Sequence, residues 1–224
     1  MEEILDTPSS RVGEMRAPQE ILDNGYQFSV GDSISQGFDI FKAQMGPFIG
    51  YTVVMLAINI AASFIPFASI VISAPLSAGF FIMAHHIRTG QSTEFGVFFK
   101  GFDKIGQLIL FSLISGILTF IAMLFLIIPG IYLAVAYSIG TLFILFYNLE
   151  FWDAMEWSRK IVSKQWFAFF GFIIVLFFLN LAGAIALGVG MLFTFPISYC
   201  AVYAAFAQIT GASSSAKAAV DSPG

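Results

Sequence analysis

Three long runs of this 224-residue chain, 43–87, 105–149 and 165–216, carry no Asp, Glu, Lys or Arg. A helix crosses a hydrocarbon core of about 30 Å with about 20 residues, so each run has room for two crossings. Each is also interrupted near its middle by residues that end helices: Phe64-Ile65-Pro66, Ile128-Pro129-Gly130 and Leu187-Gly188-Val189-Gly190. The pattern predicts an all-α integral membrane protein with six transmembrane helices paired as three hairpins, over 47–65, 67–87, 105–128, 130–148, 167–187 and 189–209.

Every basic residue lies outside those runs. Arg11, Arg16 and Lys42 precede the first; Arg88, Lys100 and Lys104 follow it; Arg159, Lys160 and Lys164 follow the second; Lys217 follows the third. The three midpoint interruptions are uncharged. Cytoplasmic loops are the ones enriched in Lys and Arg, so the charged side is expected to be cytoplasmic, with both termini on it. Composition agrees: 58% hydrophobic and 11% charged, against about 45–50% and about 25% in soluble domains. With a net charge of −4 and no basic surplus, nucleic acid is not an expected partner. The acidic start, Met-Glu-Glu-Ile-Leu-Asp, is not expected to act as a cleavable signal.

The charged stretches between the runs have helical period. Val30, Ile34, Gly37, Phe41 and Met45 share one face, while Asp32, Ser35, Gln36, Asp39 and Lys42 share the other. Likewise Phe151, Met155, Ser158, Val162 and Trp166 oppose Asp153, Glu156, Lys160 and Lys164, with Trp152 and Trp157 at the boundary. An amphipathic helix just before a span is expected to lie in the membrane interface, where indole rings favour the headgroup level. Glu156 and Lys160 are spaced as an i,i+4 ion pair. The middle connector is predicted as a shorter helix through Phe95, Phe98, Phe99 and Phe102, capped by Ser92 or Thr93.

The units are related. A shift of 121 positions lays Asp32 on Asp153, Gln44 on Gln165, Asn59 on Asn180, Pro75 on Pro196 and Ser77 on Ser198 without a gap. The middle unit fits more loosely: Gly37-Phe38-Asp39 recurs as Gly101-Phe102-Asp103. The expected organisation is a tail over 1–27, a polytopic domain over 28–210 and a tail over 211–224. The domain divides into units of about 28–88, 93–149 and 150–210, a parallel internal repeat. The first tail holds six acids, two arginines and two prolines and is expected to be disordered, as is the small, polar second tail. Ser158 aligns with Gly37 and Gly101, small residues where a surface helix can approach the bundle closely.

Ile127-Ile128-Pro129-Gly130-Ile131-Tyr132-Leu133, Trp152-Asp153-Ala154, Ser158-Arg159-Lys160, Trp166 and Leu187-Gly188-Val189-Gly190 resemble the YciC-like bacterial membrane families. The chain is also similar over 30–209 to the membrane domain attached to some bacterial glycerophosphodiester phosphodiesterases. The resemblance implies a six-helix inner-membrane bundle and no agreed activity. Its motifs are turn and anchor residues, so the phosphodiesterase chemistry does not transfer.

No charged residue falls within the expected spans, where ion-coupled transporters and proton relays usually carry one. Hydrolysis in the membrane needs a base, an acid or a metal, so the chain is expected to be non-enzymatic, without catalytic residues, cofactor or metal. His85 and His86 point about 100° apart on a helix and would need Glu94 or Asp103 to complete a metal site. Cys200 reads as a small buried residue. The remaining polar candidates are uncharged. Asn59 and Asn180 need partners in hydrocarbon and should face the bundle, as interhelical glue or as a polar site on the repeat axis, joined by Tyr137 and Thr141. Pro75 and Pro196 should break their spans at matching depth and free backbone carbonyls, as static kinks or as hinges. Membrane lipids are the expected partners, with a membrane protein of unspecified identity. The function expected from these features is an envelope accessory, assembly or scaffold module. The alternative is a transporter or lipid-handling protein with an uncharged pathway.

Overall fold

The computed structural model describes residues 15–64, 68–186 and 188–212. Residues 1–14 and 213–224 of the two tails, and Ile65, Pro66 and Leu187 of the interruptions, lie outside the described residues. All regular structure within them is helical: α1 (Pro18–Asn24), α2 (Val30–Ala43), α3 (Met45–Ser63), α4 (Ala68–Arg88), a 3-10 helix (Phe95–Lys104), α5 (Ile105–Phe125), α6 (Ile127–Ala136), α7 (Gly140–Tyr147), α8 (Phe151–Lys164), α9 (Trp166–Ile185) and α10 (Met191–Thr210). Among the described residues, five helical stretches are long and apolar enough to cross a membrane. These are Met45–Ser63, Phe95–Phe125, Ile127–Tyr147, Trp166–Ile185 and Met191–Thr210, as in a multi-pass membrane protein.

Local chemistry explains the ends of these elements. α2 starts where the Ser29 side chain accepts a hydrogen bond from the Asp32 amide over 3.3 Å. Both α2 and α8 carry an acid in the first turn and a lysine in the last, which suits the helix dipole. Asn148, at φ 53°, and Gly211, at φ 81°, end α7 and α10 in the left-handed region.

The surface helices pack in a consistent order. The 3-10 helix lies on α4, α8 on α6 and α7, and α2 on α10. Each contact has a small residue at its closest point. A Cβ at Gly37 would sit 2.6 Å from the Ala201 backbone, and one at Gly101 would strike the Pro75 carbonyl oxygen. Ser158, wholly buried, donates to the Ala136 carbonyl over 2.7 Å. The interior is built from α4, α7 and α10. Phe80 stacks on Tyr199, Phe143 meets Phe206 edge-on, and Phe146 touches both Tyr203 and Phe206. By contrast α5 and α9 turn Leu110, Ile117, Phe120, Leu124, Phe177, Phe178 and Ile185 outward.

Several expectations need correction. The tail read as disordered through Gln27 contains α1, whose Ile21 is fully buried; tertiary contacts order a stretch too polar to make a core of its own. The middle connector is a 3-10 helix starting after Glu94, with no side-chain cap from Ser92 or Thr93. In α2 the buried face is Ser33, Gly37, Ile40 and Phe41, while Met45 is exposed; α2 is rotated about its axis to bring Gly37 onto α10. The second interruption falls two residues before Ile128. Leu126 is the extended residue, and Pro129 sits in the first turn of α6, where its missing N–H costs nothing. Gly130 then lets α6 fold tightly back on Met123.

Neither mid-helix proline ends its helix. α4 continues through Pro75 and α10 through Pro196. The stretch Ile127–Tyr147, which has no mid-helix proline, is broken instead. At Tyr137–Ile139 the bonding tightens, with Ser138 N donating to Val135 O and Gly140 N to Tyr137 O. Neighbouring groups stabilise this break from outside. The Phe111 ring occupies the space that a Gly140 side chain would need, and Ser158 takes up the Ala136 carbonyl. Packed neighbours can likewise re-satisfy the backbone around a proline in a membrane helix.

Candidate functional site

The polar candidates fall in three places rather than one. The first is the seam between α9 and α10. Asn180 donates to the Leu176 carbonyl in its own helix over 2.8 Å and to Ser198 Oγ over 2.7 Å, while Ser198 donates to Thr194 O. Asn180 Oδ1 and Thr194 Oγ1 are buried there without a hydrogen-bond partner among the described residues. The helices can come this close because Gly183 lies against Gly190 and Thr194. Asn59, expected to correspond to Asn180, donates over 2.9 Å to Met55 O in its own helix, and Ser77 turns to Ala74 O. Both asparagines are half-buried, but they do not meet. One bridges two helices and the other serves its own.

The second place is an open groove of about 540 Å³ between α5 and α6. Ser112, Ser115, Gly116 and Thr119 form its floor on α5, and Tyr137 and Ala134 form the opposite wall. These α5 residues are spaced i, i+3, i+4 and i+7, so they occupy one helical face. Sequence reasoning named Tyr137 but missed the floor. The available signal was a helical stripe of small residues within a run of Leu, Ile and Phe. Thr141 is not part of this lining, and Pro75 and Pro196 are buried elsewhere in the bundle.

The third is the basic end of α4. His85 Nδ1 shares a 2.9 Å hydrogen bond with the Tyr203 hydroxyl, and its ring lies 4.6 Å from that of Phe146. His86 donates to the Ser92 carbonyl instead. The two imidazoles therefore have separate partners. Among the described residues no three His, Cys, Asp or Glu side chains stand close enough to hold a metal. Arg88 reaches Gln36 on α2 over 2.8 Å, and Cys200 is buried in the core.

On α8 the expected pair of Glu156 and Lys160 is present at 3.4 Å, but Arg159 is closer at 2.7 Å and holds the carboxylate with two nitrogens. That hydrogen bond, chiefly, holds the Glu156 carboxyl below its ordinary value. Lys160 also sits 5.4 Å over the Trp157 ring, and Trp152 is well exposed. The arrangement orders charge and indole along one face of a surface helix.

Compared with family models, curated proteins and solved structures, the chain gives no match.

Proposed function

We propose that the chain is a bacterial inner-membrane module of six spans, arranged as three parallel hairpin repeats with both termini cytoplasmic. It acts without catalysis, as an accessory, assembly or scaffold component of the envelope. One observation carries this reading: each surface helix lies on the second helix of the hairpin before it, and the first surface helix lies on the last hairpin. Such packing makes a ring closed by the chain itself, and wholly buried Phe80, Phe143, Tyr203 and Phe206 fill its centre. A filled, self-closed ring suits a body that presents surfaces more than one that passes a solute. α4 supplies the sixth span; its 21 residues carry no charge before Arg88. The outward Leu, Ile and Phe of α5 and α9 suit a lipid surround, and lipids with an unidentified membrane protein are the proposed partners. The resemblance to YciC-like sequences implies the six-helix inner-membrane bundle and no agreed activity.

The test is extraction from native membranes in a mild detergent, with bound lipids and proteins identified by mass spectrometry. A partner recovered at constant ratio supports the scaffold reading. Purified protein that alone moves a solute or lipid across proteoliposomes overturns it.

The groove between α5 and α6 favours a second reading, a lipid-handling protein with an uncharged path. On that reading Ser115→Leu abolishes lipid transfer while folded protein stays in the membrane. Unchanged transfer by the variant rejects this role for the groove.

A further inference from the structure

The segment leading into α2 lies outside the bundle and is tied to it at several points. Its contacts are of an unusual kind: they fall on helix ends. The last carbonyls of a helix have no partner within it. Arg16 meets this need for α10, its amide donating to Thr210 O over 2.8 Å and its guanidinium to Ile209 O. The same guanidinium holds Gly25 O over 3.1 Å, which folds the segment back on itself. Tyr147, at the end of α7, donates to the Arg16 carbonyl over 2.6 Å.

At α8 the pattern repeats. Tyr26 donates its hydroxyl to Ile161 O in the last turn over 2.8 Å. Gln165 and Lys164 donate in return to the carbonyls of Tyr26 and Leu22. Between these two anchor points α1 seats the buried Ile21, and beyond them Phe28 stacks on Phe169 at 4.3 Å.

We infer that residues 16–28 form a releasable strap that ties together the ends of α7, α8 and α10. It holds that face of the bundle closed and lifts as a unit while the bundle stays folded. The physical ground is the contrast in how the two are held. The bundle is held by continuous apolar burial. The strap is held chiefly by hydrogen bonds to helix-end carbonyls, which water can replace; its helix buries one side chain, and Leu22, Tyr26 and Phe28 add only half-buried contacts. A seven-residue helix does not persist by itself. Segments of this kind open locally well below the free energy of global unfolding. The proposal rests on neither the repeat nor the orientation in the membrane.

The test uses the full-length chain with Cys200→Ser, so that a single introduced thiol reports. Ile21→Cys is compared with Gln19→Cys, an exposed neighbour on α1, by maleimide labelling in detergent. In the parent background, labelling at position 21 is expected to be slower by about tenfold or more. Adding Arg16→Ala, or separately Tyr26→Phe with Gln165→Ala, should raise it to the rate at position 19. Helix content and the thermal midpoint of the bundle should not change. Equal rates at 19 and 21 in the parent background overturn the strap. So does continued protection in both loosened variants. Loss of the bundle's thermal transition in both loosened variants also overturns it, because the segment would then be part of the core.

Discussion

The Ser158 hydroxyl on α8 donates to the Ala136 carbonyl over 2.7 Å, and both residues are fully buried. Ala136 is the last residue of α6. In an unbroken helix its carbonyl would receive the amide of Gly140, but that amide turns to Tyr137. Ser158 therefore completes the broken stretch from a separate helix, α8. Ser158→Ala is expected to destabilise the protein by about 1–3 kcal/mol, because the acceptor stays buried without a partner. Ser158→Thr retains the hydroxyl but adds a methyl group at a tight contact. Thermal unfolding in detergent would check the first value; an unchanged midpoint for Ser158→Ala would remove the hydroxyl's role.

Glycines separate into those that permit contact and those that do not. Gly37→Ala places a methyl group 2.6 Å from backbone atoms of Ala201, which have no rotamer with which to yield. A loss of about 1–3 kcal/mol is expected. At Gly116 in α5 a Cβ meets nothing within 4 Å, so Gly116→Ala is expected to stabilise by about 0.5–1 kcal/mol. The measurement is the difference in midpoint between the two variants, which should have opposite signs.

The two asparagines should respond unequally. Asn180→Leu removes the bridge from α9 to Ser198 on α10 and is expected to cost about 0.6–1.7 kcal/mol. Asn59 bonds to the carbonyl four residues back in its own helix, so Asn59→Leu should cost less. Equal losses in unfolding experiments would mean that the interhelical bond adds nothing.

The Glu156 carboxyl lies below its ordinary value chiefly because Arg159 hydrogen-bonds to it. A folded-state value below the unfolded one stabilises the protein above the unfolded pKa, and this contribution is lost as pH falls through the folded value. The pair is well exposed, so solvent limits the effect to about 0.2–1 kcal/mol. Glu156→Gln should be slightly less stable than the parent at neutral pH, and the two should converge on the acid side. Unfolding curves across that range test the sign.

Much of the architecture is legible along the chain because the signals are local. Met45–Ser63 and Trp166–Ile185 follow from length and hydropathy, and α8 from the alternation of Asp153, Glu156 and Lys160 with Met155, Ser158 and Val162. The small residues at Gly37, Gly101 and Ser158 are likewise visible as the points of closest approach. The candidate site was less legible. Tyr137 borders a groove whose floor, Ser112 to Thr119, has no single chemically distinctive residue. Asn59 and Asn180 look alike in sequence, yet only one bridges two helices, because that depends on the neighbouring helix.

What the sequence by itself determined is the alternation of charge-free and charged stretches. Local hydration energy decides it: a charged residue in hydrocarbon is costly wherever its helix packs. Only the tertiary structure decided where helices bend, since Pro75 and Pro196 are carried through while Tyr137–Ile139 is broken by its contacts with Phe111 and Ser158. It also decided the fate of Arg16 to Phe28. Those residues lack a core of their own and are ordered by carbonyls that only the assembled ends of α8 and α10 present.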